Sequence, residues 1–196
     1  NIQQAMSVFV AEELSEVLNT KVVIGRINMG LLNRIIIDDV LLDDQSGQEM
    51  LKVTRLSAKF DIMPFFKGKI SISSVQLFGF NINLRKETPD SPPNFKFVLD
   101  AFASKDTVKK ENSLDLRINS ILIRRGRMSY HVLSEEETPG KFNAKHIQLQ
   151  NIIANISLKA LSKDSLNLGI KRLSLDEKAS GFSLKKMSLK LVANNK

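Results

Sequence analysis

Two histidines, His131 and His146, are the side chains of this 196-residue chain whose ordinary pKa lies near neutrality, and there is no cysteine. Imidazoles can act as general bases or metal ligands, whereas the absence of thiols excludes disulfides, cysteine nucleophiles and thiolate metal sites. Each histidine falls in a stretch that reads as a strand, and nothing around either has the short ligand spacing of a zinc site. Both therefore read as surface or packing residues. Carboxylates cluster at Asp38-Asp39, Asp43-Asp44 and Glu135-Glu136-Glu137. Asp43 and Asp44 precede Gln45-Ser46-Gly47, which is hairpin-turn chemistry. A calcium loop would need alternating acidic ligands, a glycine and a distal glutamate in register. The glutamate run reads as a solvated loop tip. No serine sits in Gly-x-Ser-x-Gly, and the nine glycines are too scattered to cradle a phosphate. The expectation is a protein that is not an enzyme, with no cofactor and no metal.

Charge gives a broader clue. Twenty-nine Lys and Arg against 21 Asp and Glu leave a net charge of +8, which favours contact with phosphates of nucleic acid or anionic lipid. The cations come in scattered pairs, Lys109-Lys110, Arg124-Arg125, Lys171-Arg172 and Lys185-Lys186, and read first as a solvated strand face. A nucleic-acid-binding sheet would interleave aromatic and basic residues. Here the eleven phenylalanines follow the apolar pattern and Tyr130 is the one tyrosine, so no nucleic-acid partner is expected.

The elements that would position any site are mostly strands. A hydrophobic content of 42% suits a folded domain. No stretch approaches the ~18 to 20 apolar residues that span a bilayer. The sequence begins with Asn1 rather than Met, so it reads as a piece of a longer chain with a signal or membrane anchor upstream. Residues 1–18 read as an amphipathic helix with an apolar stripe of Ile2, Ala5, Met6, Phe9, Val10, Leu14, Val17 and Leu18. Glu12, Glu13 and Glu16 on its polar side argue against an anionic membrane surface. After Asn19 a pattern recurs: apolar, any, apolar, two polar or small residues, apolar, any, apolar. It occurs at Val22-Ile24-Ile27-Met29, Ile35-Ile37-Val40-Leu42, Leu51-Val53-Leu56-Ala58 and Ile70-Ile72-Val75-Leu77. It returns at Leu116-Ile118-Ile121-Ile123, Phe142-Ala144-Ile147-Leu149, Leu168-Ile170-Leu173-Leu175 and Phe182-Leu184-Met187-Leu189.

Side chains alternate faces along a strand, so this spacing would split each repeat between two faces. A β-bulge or a bend at the polar pair would keep all four apolar residues on one side. Repeated across neighbours, such bends predict a curved, groove-like antiparallel sheet with one apolar face. Helices are too few to cover it: besides the first, Phe95, Val98, Leu99 and Phe102 have helical spacing after Pro92-Pro93-Asn94. The face is then open, packed on protein, or filled by ligand. Residues 64–69 read as a turn, and residues 104–113 and 134–140 as loops, within a single domain over 1–196. Candidate lining residues are Ile24, Ile37, Val53, Ile72, Leu77, Phe80, Ile82 and Ile118. In residues 70–86 strict parity puts Leu77 with Val75 and sends Ile72, Phe80 and Ile82 to the other face unless a bulge intervenes.

The first half of the chain resembles the AsmA-like superfamily, most closely the N-terminal region of TamB-type envelope proteins. The resemblance runs through FVAEELSEVLNTKVVIGRI (Phe9 to Ile27), LNRIIIDDVLLDD (Leu32 to Asp44) and MLKVTRLSAKFDI (Met50 to Ile62). It continues in KGKISISSVQLFGFNINLRK (Lys67 to Lys86) and PPNFKFVLDAF (Pro92 to Phe102); beyond residue 104 only the repeat carries it. The resemblance implies a periplasmic protein of a Gram-negative bacterium, held in the inner membrane by an N-terminal helix. Its β-groove would carry phospholipid toward the outer membrane. It also implies a role in outer-membrane biogenesis beside an Omp85-family partner. The alternative is a scaffold or interaction module whose apolar face packs only on protein.

Overall fold

The computed structural model describes residues 2–61, 70–103, 114–161 and 165–194. The expected turn over 64–69, the loop over 104–113 and the side chains of Ile2, Met6 and Phe102 lie outside the described residues. Helix α1 (Ile2–Leu18) leads into strands β1 (Val22–Gly30), β2 (Arg34–Asp43), β3 (Glu49–Phe60) and β4 (Ile70–Lys86). Helix α2 (Lys96–Ala103) precedes β5 (Leu114–Val132), β6 (His146–Leu161), β7 (Ser165–Glu177) and β8 (Ser183–Asn194). The strands form one open sheet in chain order, β1 to β8, as the β-rich pattern with two helices predicts.

One pairing departs from an all-antiparallel sheet. Strand β4 lies parallel to β5, with Ile70 beside Leu114 and Lys86 beside Val132. A parallel neighbour needs a connection that returns to the starting end, and the segment carrying α2 makes it. Chain reversals elsewhere are short. In the β2–β3 turn, Asp44 Oδ1 accepts hydrogen bonds from Ser46 N at 3.0 Å, Ser46 Oγ at 2.7 Å and Gln48 N at 3.0 Å. Its Oδ2 accepts from Arg85 at 2.7 Å and from Asn94 Nδ2 at 3.2 Å, so one buried carboxylate ties this turn to β4 and the approach to α2. Burial alone would raise the Asp44 carboxyl pKa. The bonds from Ser46, Gln48 and Asn94 and the Arg85 guanidinium outweigh it and hold the value below the usual range.

Glu177 does the same for the β7–β8 turn. It accepts from Ala179 N at 3.1 Å and Ser180 N at 2.7 Å, as well as from the Ser180 hydroxyl. Its pKa is likewise lowered, burial being outweighed by bonds from Ser180, Ala179 and Gln148. Residues 134–140 form the expected loop between β5 and β6.

Helix α1 lies along the β1 edge, with Gln3 Nε2 donating to Asn28 Oδ1 at 3.3 Å and Ser15 Oγ accepting from Val22 N at 3.1 Å. Its packed side is Ser7, Val10, Leu14 and Leu18, a true i, i+3/i+4 series. The expected stripe was rotated too far. Phe9 is 47% exposed and Val17 40%, because an edge strand offers room for only a narrow seam. In α2, Phe97, Val98 and Ala101 pack inward while Leu99 faces out.

Candidate apolar face

The face is built by a crease that crosses the sheet. Along β2, Ile35 and Ile37 precede Asp38-Asp39, and Val40 and Leu42 follow, yet all four lie on one side. Asp39 takes a left-handed backbone, φ 58°. That single residue reverses strand parity. The same reversal separates Ile24 from Ile27 in β1, Val53 from Leu56 in β3 and Leu77 from Phe80 in β4. It separates Ile123 from Met128 in β5 and Leu149 from Ile152 in β6. Left-handed residues mark the crease in most strands: Gly79 (φ 66°), Arg125 (φ 52°), Asn151 (φ 54°) and Arg172 (φ 54°).

Both ways of keeping the repeat on one side are used. From β1 to β4 the pairs at Gly25, Asp39, Thr54 and Gly79 drop out, but the register on either side is unchanged. Each strand bends at the same level, so no residue is gained by either partner. From β5 to β8 the register steps by a residue inside the crease and recovers beyond it, as at Gly126/Ile152, Ile153/Ser174 and Leu173/Met187. These are bulges. At Gly79 glycine meets two demands, the positive φ and the Thr54 hydroxyl, which would lie 2.8 Å from an added Cβ.

The polar pairs Gly25-Arg26, Asp38-Asp39, Thr54-Arg55, Lys171-Arg172 and Lys185-Lys186 lie at the crease as the repeat predicts. In the three central strands the crease lies farther along, at Phe78-Gly79, Arg124-Arg125 and Gln150-Asn151. The expected pairs Ser73-Ser74 and Asn119-Ser120 carry a separate register shift, a bulge off the line of the crease, and Lys145-His146 lies at the start of β6. Phe142 and Ala144 sit exposed in the β5–β6 connection, so that repeat begins outside the strand. The same apolar spacing recurs in Val75-Leu77-Phe80-Ile82 and Ile147-Leu149-Ile152-Ala154, the repeats that straddle the crease.

Six of the eight expected lining residues come together. Ile37, Val53 and Phe80 are buried in one cluster, with Ile24, Leu77 and Ile82 packed against it. The intervening reversal at Gly79 places Leu77 with Phe80 and Ile82, where strict parity separates them. Ile72 and Ile118 are half-buried farther along β4 and β5. Ile27 and Val40, members of the repeat outside the candidate lining set, and Ile152, outside the expected frame of β6, belong to the same buried cluster. The face is buried at its centre and exposed at β8: Val53 is 0% exposed and Ile152 7%, whereas Met187 is 38% and Leu189 44%. Met187 pairs with Leu173 and Leu189 with Ile170, so both β8 residues belong to the same side. At one end the face is closed by Leu18, Val22, Leu42 and Met50, packed with α1 and α2.

The opposite side of the crease is polar. Arg55 Nε donates to Asp38 Oδ1 at 2.7 Å, and the Arg125 guanidinium lies 5.2 Å from the Phe78 ring centroid. The Arg55 hydrogen bond, reinforced by its charge and that of Arg26, holds the Asp38 carboxyl below its usual pKa against the effect of burial. The two histidines, distant in sequence, pair directly across β5 and β6.

No protein-family model matches the chain, and no curated protein is significantly similar to it. Among the described residues no helix is long and apolar enough to cross a membrane.

Proposed function

We propose that this chain is a section of an apolar β-groove that holds the acyl chains of phospholipid and passes them along the sheet. The observation that carries the reading is the crease. It collects the repeated isoleucine, leucine, valine and phenylalanine residues of successive strands on one side of an open sheet, and that side, buried at its centre, is exposed at β8. Acyl chains need a continuous dry surface, and each buried methylene contributes ~0.8 kcal/mol. A groove meets that need while leaving the headgroup in water. The resemblance to AsmA-like and TamB-type proteins supplies the setting: the periplasm of a Gram-negative bacterium, an inner-membrane anchor, and lipid moving toward the outer membrane. An Omp85-family partner would be met through other regions. The groove requires no catalytic residue.

A second reading rests on a different observation. Ile27 and Val53 are 1% and 0% exposed within a cluster of protein side chains, as in a core that packs only on protein. A scaffold in outer-membrane protein assembly would look like this at its centre.

Photo-crosslinking in living cells separates the two. A crosslinking residue at Leu173, on the apolar side of β7, is expected to capture phospholipid, and one at exposed Lys171 is not. Protein adducts at Leu173 without lipid would overturn the conduit and favour the scaffold.

A further inference from the structure

We propose that the β5–β6 connection carries a divalent transition-metal site, of the kind zinc occupies, made by His131, His146 and Glu137. His131 is the penultimate residue of β5 and His146 the first of β6, and they are directly paired in the antiparallel register. Their Nδ1 atoms lie 2.9 Å apart. One ligand atom from each histidine and a carboxylate oxygen of Glu137 all fall within 4.8 Å of one another. Two nitrogens bound tetrahedrally at ~2.0 to 2.1 Å from zinc stand roughly 3.3 to 3.4 Å apart. The rings therefore need to part by only about half an ångström to admit the ion.

The surroundings prepare His146 for this task. Its Nε2 lies 2.8 Å from the Glu135 carbonyl oxygen. A carbonyl only accepts, so Nε2 carries the proton and Nδ1 presents its lone pair. That is the outer hydrogen bond typical of a ligating histidine, which fixes both tautomer and ring orientation. Without an ion, the short Nδ1 contact requires His131 Nδ1 to donate to His146 Nδ1. With an ion bound, the His131 proton resides on Nε2 and both Nδ1 lone pairs face the metal.

The loop that brings Glu137 to the pair is also pinned. Val132 N donates to Lys145 O at 2.8 Å, His146 N to Asn143 O at 3.0 Å, and Asn143 Nδ2 to Glu136 O at 3.1 Å. Lys145 is ion-paired with Glu135 at 2.7 Å, which leaves Glu137 as the carboxylate directed to the histidines. Imidazole and carboxylate donors suit zinc better than calcium or magnesium, which favour all-oxygen shells. Three protein donors leave a fourth position for water or for a group from a partner. An ion here would clamp β5 to β6 beside the end of β4, since Leu133 N and Ser134 N donate to Lys86 O and Glu87 O.

The test is titration of the metal-free chain with zinc chloride, followed by calorimetry and by the histidine side-chain ¹⁵N resonances. The expected result is one saturable equivalent, with the Nδ1 resonances of both histidines moving together. Glu137→Gln changes an exposed residue and leaves the fold intact; it and His131→Asn should each weaken binding by about 10-fold or more. No saturable binding would overturn the site. So would affinity unchanged in both variants, or unmoved Nδ1 resonances, because zinc would then be held elsewhere.

Discussion

The Phe80 ring of β4 lies over Gly126 of β5, so closely that an added Cβ on the glycine would stand 2.0 Å from Phe80 Cε1. Gly126 pairs with Ile152 of β6, and Phe80 and Ile152 belong to the same buried cluster. The glycine thus leaves a gap in the β5 side-chain row, and the phenylalanine fills it and joins strands that are not neighbours. Gly126→Ala should destabilise the fold by ~1 to 3 kcal/mol through overpacking. Phe80→Ala should cost ~3 to 5 kcal/mol through the void it leaves. The double variant should cost less than the sum, because the alanine methyl then occupies vacated space. Urea unfolding of the four proteins measures the coupling; strict additivity would contradict the packing described.

At Arg172 the left-handed backbone carries an exposed side chain. Glycine adopts this conformation freely, whereas a β-branched residue resists it. Arg172→Gly should therefore change stability by no more than about 1 kcal/mol, and Arg172→Val should lose ~1 to 2 kcal/mol. A valine as stable as the glycine would mean that the parity reversal does not depend on this conformation.

Acid should loosen the turns held by Asp44 and Glu177. Their folded pKa values are lowered, so the stability they contribute is fully present above the unfolded values, ~3.9 for Asp and ~4.3 for Glu. It is lost as pH falls through the lower folded values. Asp44→Asn should lower stability by ~2 to 3 kcal/mol at neutral pH and flatten the dependence below pH ~4. Urea midpoints measured across that range check the sign; an equally steep acid limb in the variant would assign the transition to other carboxylates.

If acyl chains lie on the apolar side, a charge at its exposed end should repel them. Leu189→Glu on β8 should weaken saturable binding of a fluorescent fatty acid by about tenfold, or ~1.4 kcal/mol. Lys190→Glu, pointing the other way, should change it little. Circular dichroism would establish that both variants fold, and equal loss in the two would show that the dye reads charge alone.

Much of this molecule can be read from residue order. The alternation of apolar and polar residues marks the strands, and the spacing of four apolar positions around a polar pair requires a parity reversal. That inference holds at Asp38-Asp39 because the whole repeat lies inside one strand. In β4 the apolar residues Ile70, Ile72, Val75, Leu77, Phe80 and Ile82 carry two overlapping frames, and the strand has both a register shift at Ser73 and a left-handed Gly79. Spacing alone does not show which of the two lies on the crease. Neighbours decide that: Gly79 stands level with Thr54, and Phe80 fits over Gly126.

The strand-rich class, the two helices and the membership of most of the apolar face follow from local periodicity, which each segment carries within itself. The parallel β4–β5 pairing, the alignment of the crease across the sheet and the meeting of His131 with His146 and Glu137 arise in the assembled fold. These depend on which strands lie side by side and in what register. That outcome is set by the summed packing of many distant side chains, so no single stretch of residues contains it.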